Sequence, residues 1–138
     1  MELSKKIWIV LGLTSIIFHI FLIFSGLIPN LVSRPLHMAL AIPWVFIYRK
    51  QLTNFVYLNY TLALLGVFFC LWIALNHNSI SNQYGFIENH FQLFISLFLI
   101  YLVLEMARRC IGYPLPLVAF IALIYGVLGS LIPGEFGH

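Results

Sequence analysis

Charge is what this sequence has least of. Only 8% of its 138 residues are Asp, Glu, Lys or Arg, while 62% are hydrophobic. Soluble domains carry about 25% charged residues, so the chain cannot cover a globule with polar surface, and a soluble fold is excluded. Intrinsic disorder needs low hydrophobicity and high charge, and is excluded as well. Seven Lys and Arg against four Asp and Glu leave a net charge of +3. The basic residues lie in separate pairs, which makes no nucleic-acid footprint. Cysteine is almost missing. Cys70 and Cys110 form no Cys-x-x-Cys, which argues against a disulfide framework or a thiol-redox motif. No Walker loop, His-Glu-x-x-His, serine elbow or Gly-rich dinucleotide turn occurs. The sequence thus offers no catalytic constellation, and neither enzymatic activity nor a cofactor is expected.

Long apolar runs take the place of all this. Residues 7–28 carry no charge and extend about 33 Å as a helix, enough for a hydrocarbon core of about 30 Å. Lys5 and Lys6 precede them like a signal-peptide start. The run is longer than a signal segment, however, and no small-x-small cleavage site follows. A retained first transmembrane helix is expected, ended by Pro29-Asn30. The second run, residues 36–48, is short and interrupted by Pro43. Extended back to Leu31 it reaches about 27 Å, with Pro35 expected in its first turn and Arg34 snorkelling to the interface. Residues 55–75 make a third span. Residues 76–85 turn to Asn, Ser, His and Gln and read as an extramembrane loop. Residues 91–107 and 115–132 complete the set, separated by Gly112-Tyr113-Pro114.

The fold class expected is therefore an all-α membrane protein, a bundle of about five transmembrane helices. Charge orients it. With a cytoplasmic N-terminus, Lys5, Lys6, Arg49, Lys50, Arg108 and Arg109 lie inside and only Arg34 lies outside, as the positive-inside rule requires. A four-span alternative distributes the same residues five to two. The C-terminus is then periplasmic. Trp8, Trp44 and Trp72 are possible interface anchors.

The sharpest local pattern runs from Leu104 to Pro116. Glu105 stands three residues before Arg108 and four before Arg109, so one carboxylate can pair with both on one helical face. The two arginines also complement the helix dipole. At a membrane boundary such a pair is expected to contribute about 0–1 kcal/mol. The competing reading makes Glu105 a coupling-ion or proton site. Gly112 breaks the helix, and Pro114 and Pro116 suit the first turn of the next. Gly126 and Ser130 stand four apart with Gly129 beside them, a small-xxx-small spacing that permits close helix approach. Of the five histidines, His37, His77, His90 and His138 are expected at or beyond the outer face. His19 alone is expected inside the bundle, as a polar contact between helices. No His pair has ligand spacing for a metal. A pair holding haem or a metal remains the alternative reading, that of a small membrane enzyme or electron-transfer protein.

The stretch 104–134 resembles the N-terminal region of fused TRAP transporter permeases, the tripartite ATP-independent periplasmic transporters, of the type that works with TAXI-like binding proteins. The likeness is carried by Glu105-Met106-Ala107-Arg108-Arg109 with Gly112, by Tyr113-Pro114-Leu115-Pro116, and by the helix closing in Tyr125-Gly126-Val127-Leu128-Gly129 and Leu131-Ile132-Pro133-Gly134. Arg34-Pro35-Leu36-His37 is similar too. The resemblance implies a small Q-type four-helix domain at residues 1–112. Residues 113–138 would be a connecting helix leading to a large M-type transport domain. It further implies a scaffold role in ion-gradient-driven solute uptake across a bacterial inner membrane, with the M-type domain and a periplasmic TAXI-like binding protein as partners. No substrate, metal or cofactor residue carries over.

Overall fold

The computed structural model describes residues 2–26, 28–48 and 56–129. Among them every regular element is helical: α1 Glu2–Ser25, α2 Asn30–Pro43 with a π-helical continuation Trp44–Tyr48, α3 Val56–Leu75, α4 His77–Asn82, α5 His90–Ile111 and α6 Pro114–Leu128. Four stretches are long and apolar enough to cross a membrane: Lys5–Leu22, Asn30–Tyr48, Val56–Leu75 and His90–Ile111. That composition is compatible with a multi-pass membrane protein. α6 is apolar but has 15 residues, and residues 130–132 of the expected fifth span lie outside the described ones. The chain forms two compact units, Met1–Ile95 and Ser96–His138.

The second span is the one the sequence left weakest, and its length has a simple origin. α2 starts at Asn30 on a Pro29 N-cap, whose carbonyl accepts from the N–H groups of Val32 and Ser33 at 2.9 and 3.0 Å. Pro35 consequently lies inside the helix and not in its first turn as expected. It withholds one N–H from the Leu31 carbonyl without ending the helix. Pro43 withholds another from Ala39, and from Trp44 to Tyr48 the helix widens into π geometry instead of stopping. Together the two segments give 19 residues from Asn30 to Tyr48.

In the first unit α2 packs most extensively on α3. α3 buries Leu62, Ala63, Gly66, Phe69, Cys70 and Ala74, a single stripe at helical spacing. Ala39 and Ile42 of α2 are buried too, together with Val45 and Phe46 of the π segment. Much of this seam is small: Ala39, Ala63, Gly66, Cys70 and Ala74. Apolar faces gain nothing by leaving lipid for one another, so helices associate where small side chains let backbones approach. Towards the C-terminal end of α3, Trp72 meets Phe91 edge-on at 5.4 Å, and Phe69 meets Phe94 at 6.0 Å.

The expected loop 76–85 contains the short α4, closed by a turn with Tyr84 and Gly85 at φ 51° and 91°. Gln83 donates to the Glu88 carboxylate at 3.0 Å. Polar side chains and local backbone bonds sustain this turn and a half of helix. Elsewhere α1 leaves most of its large apolar side chains exposed, among them Ile9, Ile17 and Phe21, as a lipid-facing helix does.

Because Cys70 is fully buried in the small-residue seam, Cys70→Leu is expected to lower stability by about 1–3 kcal/mol through overpacking. Leu64→Ala, on the exposed side of the same helix, should lower it by less than 0.5 kcal/mol or so. Unfolding of both variants in the same detergent reads the difference.

Candidate functional site: an ion-paired turn and a stacked histidine pair

The residues of the 104–116 pattern form one continuous device in the second unit. α5 ends at Ile111, and Gly112 follows at φ 102°, a left-handed cap that glycine adopts without a Cβ penalty. Its N–H reaches the Arg108 carbonyl at 3.0 Å. A Cβ here would meet only Pro114 Cδ at 3.7 Å, so the backbone angle and not the space selects glycine. Tyr113 caps α6, Pro114 opens it, and the Leu117 N–H closes its first turn on the Tyr113 carbonyl at 3.1 Å. Pro116 lies in that same turn, where a missing N–H costs no helix bond.

Glu105 sits one turn before the cap and pairs with both arginines. Arg108 donates from Nε to Oε2 and from Nη2 to Oε1, each at 2.7 Å, a bidentate fork. Arg109 donates from Nε to Oε1, also at 2.7 Å. Arg108 extends further to the Tyr113 hydroxyl at 3.3 Å, with its guanidinium 5.4 Å from the centre of that ring. The helix end, the cap and the start of α6 are thereby tied through one guanidinium. Both carboxylate oxygens are engaged by charge-assisted bonds, an arrangement that anchors a turn and leaves little of Glu105 open to a ligand.

One feature departs from the sequence expectation of a weak boundary pair. The Arg109 side chain is 3% exposed and that of Glu105 12%. Buried charges hold their place only when paired, so this contact belongs among those whose rupture is costly.

The helix-packing positions behave differently from one another. Gly129 is the C-cap residue of α6 and is buried. Gly126 has nothing within 4 Å of where a Cβ would stand. It lines an apolar groove of about 710 Å³ with Ser96, Leu99, Ala119, Ala122 and Leu123. Ser130 lies outside the described residues. The small-residue seam that is closed within the chain, on α3, was visible in the sequence as Ala63, Gly66, Cys70 and Ala74, but its spacing mixes steps of three and four and was passed over.

Sequence reasoning also missed a histidine pair in the first unit. The rings of His19 on α1 and His37 on α2 stack with centroids 4.0 Å apart and planes 26° from parallel. His37 thus lies against His19. Only the register between α1 and α2 could have placed them together. Phe18 meets both rings edge-on. His19 Nδ1 lies 2.6 Å from the Ser15 carbonyl, which can only accept, so Nδ1 carries the proton and donates. The Ser15 hydroxyl donates to Leu11 in turn. Metal-bound imidazoles radiate edge-first from an ion about 2.0 Å from each nitrogen, whereas these rings oppose each other by their faces. Among the described residues no three His, Cys, Asp or Glu side chains converge into a ligand cage. Cys70 is buried, Cys110 is exposed, and neither forms a disulfide.

No protein-family model, curated protein or solved structure matches this chain.

Glu105→Gln is expected to destabilise the protein by about 1.5–3 kcal/mol, the range for hydrogen bonds to charged groups. Arg108→Gln should cost less, because Arg108 is the more exposed partner and its loss leaves the Arg109 contact in place. Unfolding midpoints in one detergent check that order.

Proposed function

We propose that the chain is an accessory, scaffold-type component of a secondary, ATP-independent solute transporter of the TRAP type, in which it corresponds to the small Q-type domain plus connecting helix. The observation that carries this reading is the 104–116 turn. The residues that bear the family likeness, Glu105, Arg108, Gly112 and Pro114, are those that build a single rigid helix end and restart. A motif whose members serve one structural purpose is a better basis for kinship than scattered matches.

Composition supports the same role. Among the described residues of the candidate spans, the acidic side chain at membrane depth is Glu105, and it is already paired. A solute path needs polar groups to replace lost water, and these helices offer few. Transport is then the task of an M-type domain, fed by a periplasmic TAXI-like binding protein, while this chain stands as part of the fixed frame in a bacterial inner membrane. Residues 1–112 form the Q-like domain and residues 113–138 the connector in this reading. The fifth span in this reading is the stretch 115–132 expected from sequence, with the N-terminus cytoplasmic and the C-terminus periplasmic by the charge distribution. Gly126, open on its groove, supplies a place for close contact with the larger domain.

The stacked histidines are the observation that would favour a haem- or metal-binding protein instead, although their face-to-face geometry suits chelation poorly. Bound haem or zinc in the purified protein, lost in His19→Ala, would support that second reading.

Two experiments test the proposal. A cytoplasm-active reporter fused after Lys50 or Arg109 should be active, and a periplasm-active one should be active within residues 76–85 or after His138. Activity of the cytoplasmic reporter within 76–85 would contradict the five-span arrangement. Extracted in mild detergent, the tagged chain should co-purify in equal amount with a large M-type membrane protein, identified by its peptide masses. Gly126→Leu should weaken that association at least tenfold while leaving insertion intact, since the substitution meets nothing within the chain itself.

A further inference from the structure

A groove of about 810 Å³ runs along α1 in the first unit, against the π segment and Tyr60 of α3. On α1 it is lined by Lys5, Trp8, Ile9, Gly12, Leu13 and Ile16, positions that recur at three and four residues and so share one helix face. From Lys5 to Ile16 the stripe covers about 16 Å of helix axis, close to the hydrocarbon depth of one leaflet, half of about 30 Å.

The lining changes character along that length. Lys5, exposed, stands at one end. Next come Trp8, Trp44 and Tyr48, whose rings touch one another in a triangle with centroids 5.0–5.1 Å apart. Further along α1 the lining is aliphatic, with Leu13 and Ile16. Ammonium, amphipathic aromatic ring, hydrocarbon: this is the order of a leaflet read inwards from its headgroups. At Gly12 the Trp44 ring lies 3.4 Å from where a Cβ would be, so that ring packs directly over the glycine on the groove wall.

Charge at the mouth selects the headgroup. Lys6 is exposed beside Lys5. Against these two cations α1 carries a single carboxylate, Glu2. A basic mouth over a leaflet-deep apolar groove is complementary to one class of molecule.

We propose that the groove between α1 and the π segment is a binding site for an anionic phospholipid, with its headgroup phosphate on Lys5 and an acyl chain along Gly12, Leu13 and Ile16. The aromatic triangle forms the wall at the depth of the glycerol backbone. The site is independent of the transporter reading and requires only that α1 crosses the bilayer.

Quenching of tryptophan fluorescence tests it directly. The chain has three tryptophans, and Trp72→Phe removes the one that packs elsewhere, on Phe91, leaving Trp8 and Trp44 as reporters. The full chain in detergent is titrated with phosphatidylglycerol brominated along its acyl chains and, separately, with equally brominated phosphatidylcholine. The expected result is about a fivefold preference for phosphatidylglycerol, the factor that one lysine near an anionic surface supplies. Lys5→Gln should abolish the preference and Lys5→Arg should retain it. Lys6→Gln, one residue away but off the groove, should retain most of it. Equal quenching by the two lipids would overturn the proposal. So would a loss in Lys6→Gln as large as that in Lys5→Gln, which would mean diffuse attraction to a basic helix end. Native mass spectrometry of the unsubstituted chain gives a reading that needs no variant: phosphatidylglycerol should be retained over phosphatidylcholine, and equal retention would again contradict the site.

Discussion

Helices that are apolar nearly all round have no hydrophobic reason to leave lipid for one another, and this chain consists of little else. What holds its first unit together is close approach, and close approach requires small side chains. The seam between α2 and α3 supplies them, with Ala39 on one side and Ala63, Gly66, Cys70 and Ala74 on the other. The π widening after Pro43 belongs to the same seam, since it places Val45 and Phe46 in the buried set. Val45 and Phe46 stand three and four residues after Ile42, so they extend the buried face of α2 past Pro43.

The spans were largely legible in the sequence because their signals, length and apolarity, are local. Residues 55–75 and 91–107 were located to within a few residues of α3 and α5. So was the Glu105 turn, whose partners stand three and four residues away and meet on any helix. What escaped was non-local. The burial of Arg109 depends on what surrounds it, which spacing alone does not reveal. His19 and His37 are far apart in sequence and meet only through the register of α1 on α2. Pro35 reads as a first-turn residue because nothing in its neighbourhood announces that the Pro29 carbonyl starts the helix at Asn30. The short α4 inside a polar stretch had no apolar periodicity to betray it.

Two kinds of polarity therefore coexist in a chain almost devoid of charge. At the α5–α6 turn, opposed charges close on each other and stiffen a boundary. At the start of α1, like charges stay exposed beside an aromatic-walled groove. The first arrangement is inward-looking and suits a fixed frame. The second turns outward, and carries the lipid site proposed above. Neither provides the graded series of polar groups along which a solute could cross.

That contrast yields the central claim, that the chain works by packing and not by conducting. Solute uptake by proteoliposomes containing this chain alone, with and without an imposed sodium or proton gradient, tests it most directly. The account predicts uptake no faster than in empty liposomes under either gradient. Gradient-driven uptake by the chain alone, well above the empty-liposome rate, would contradict it.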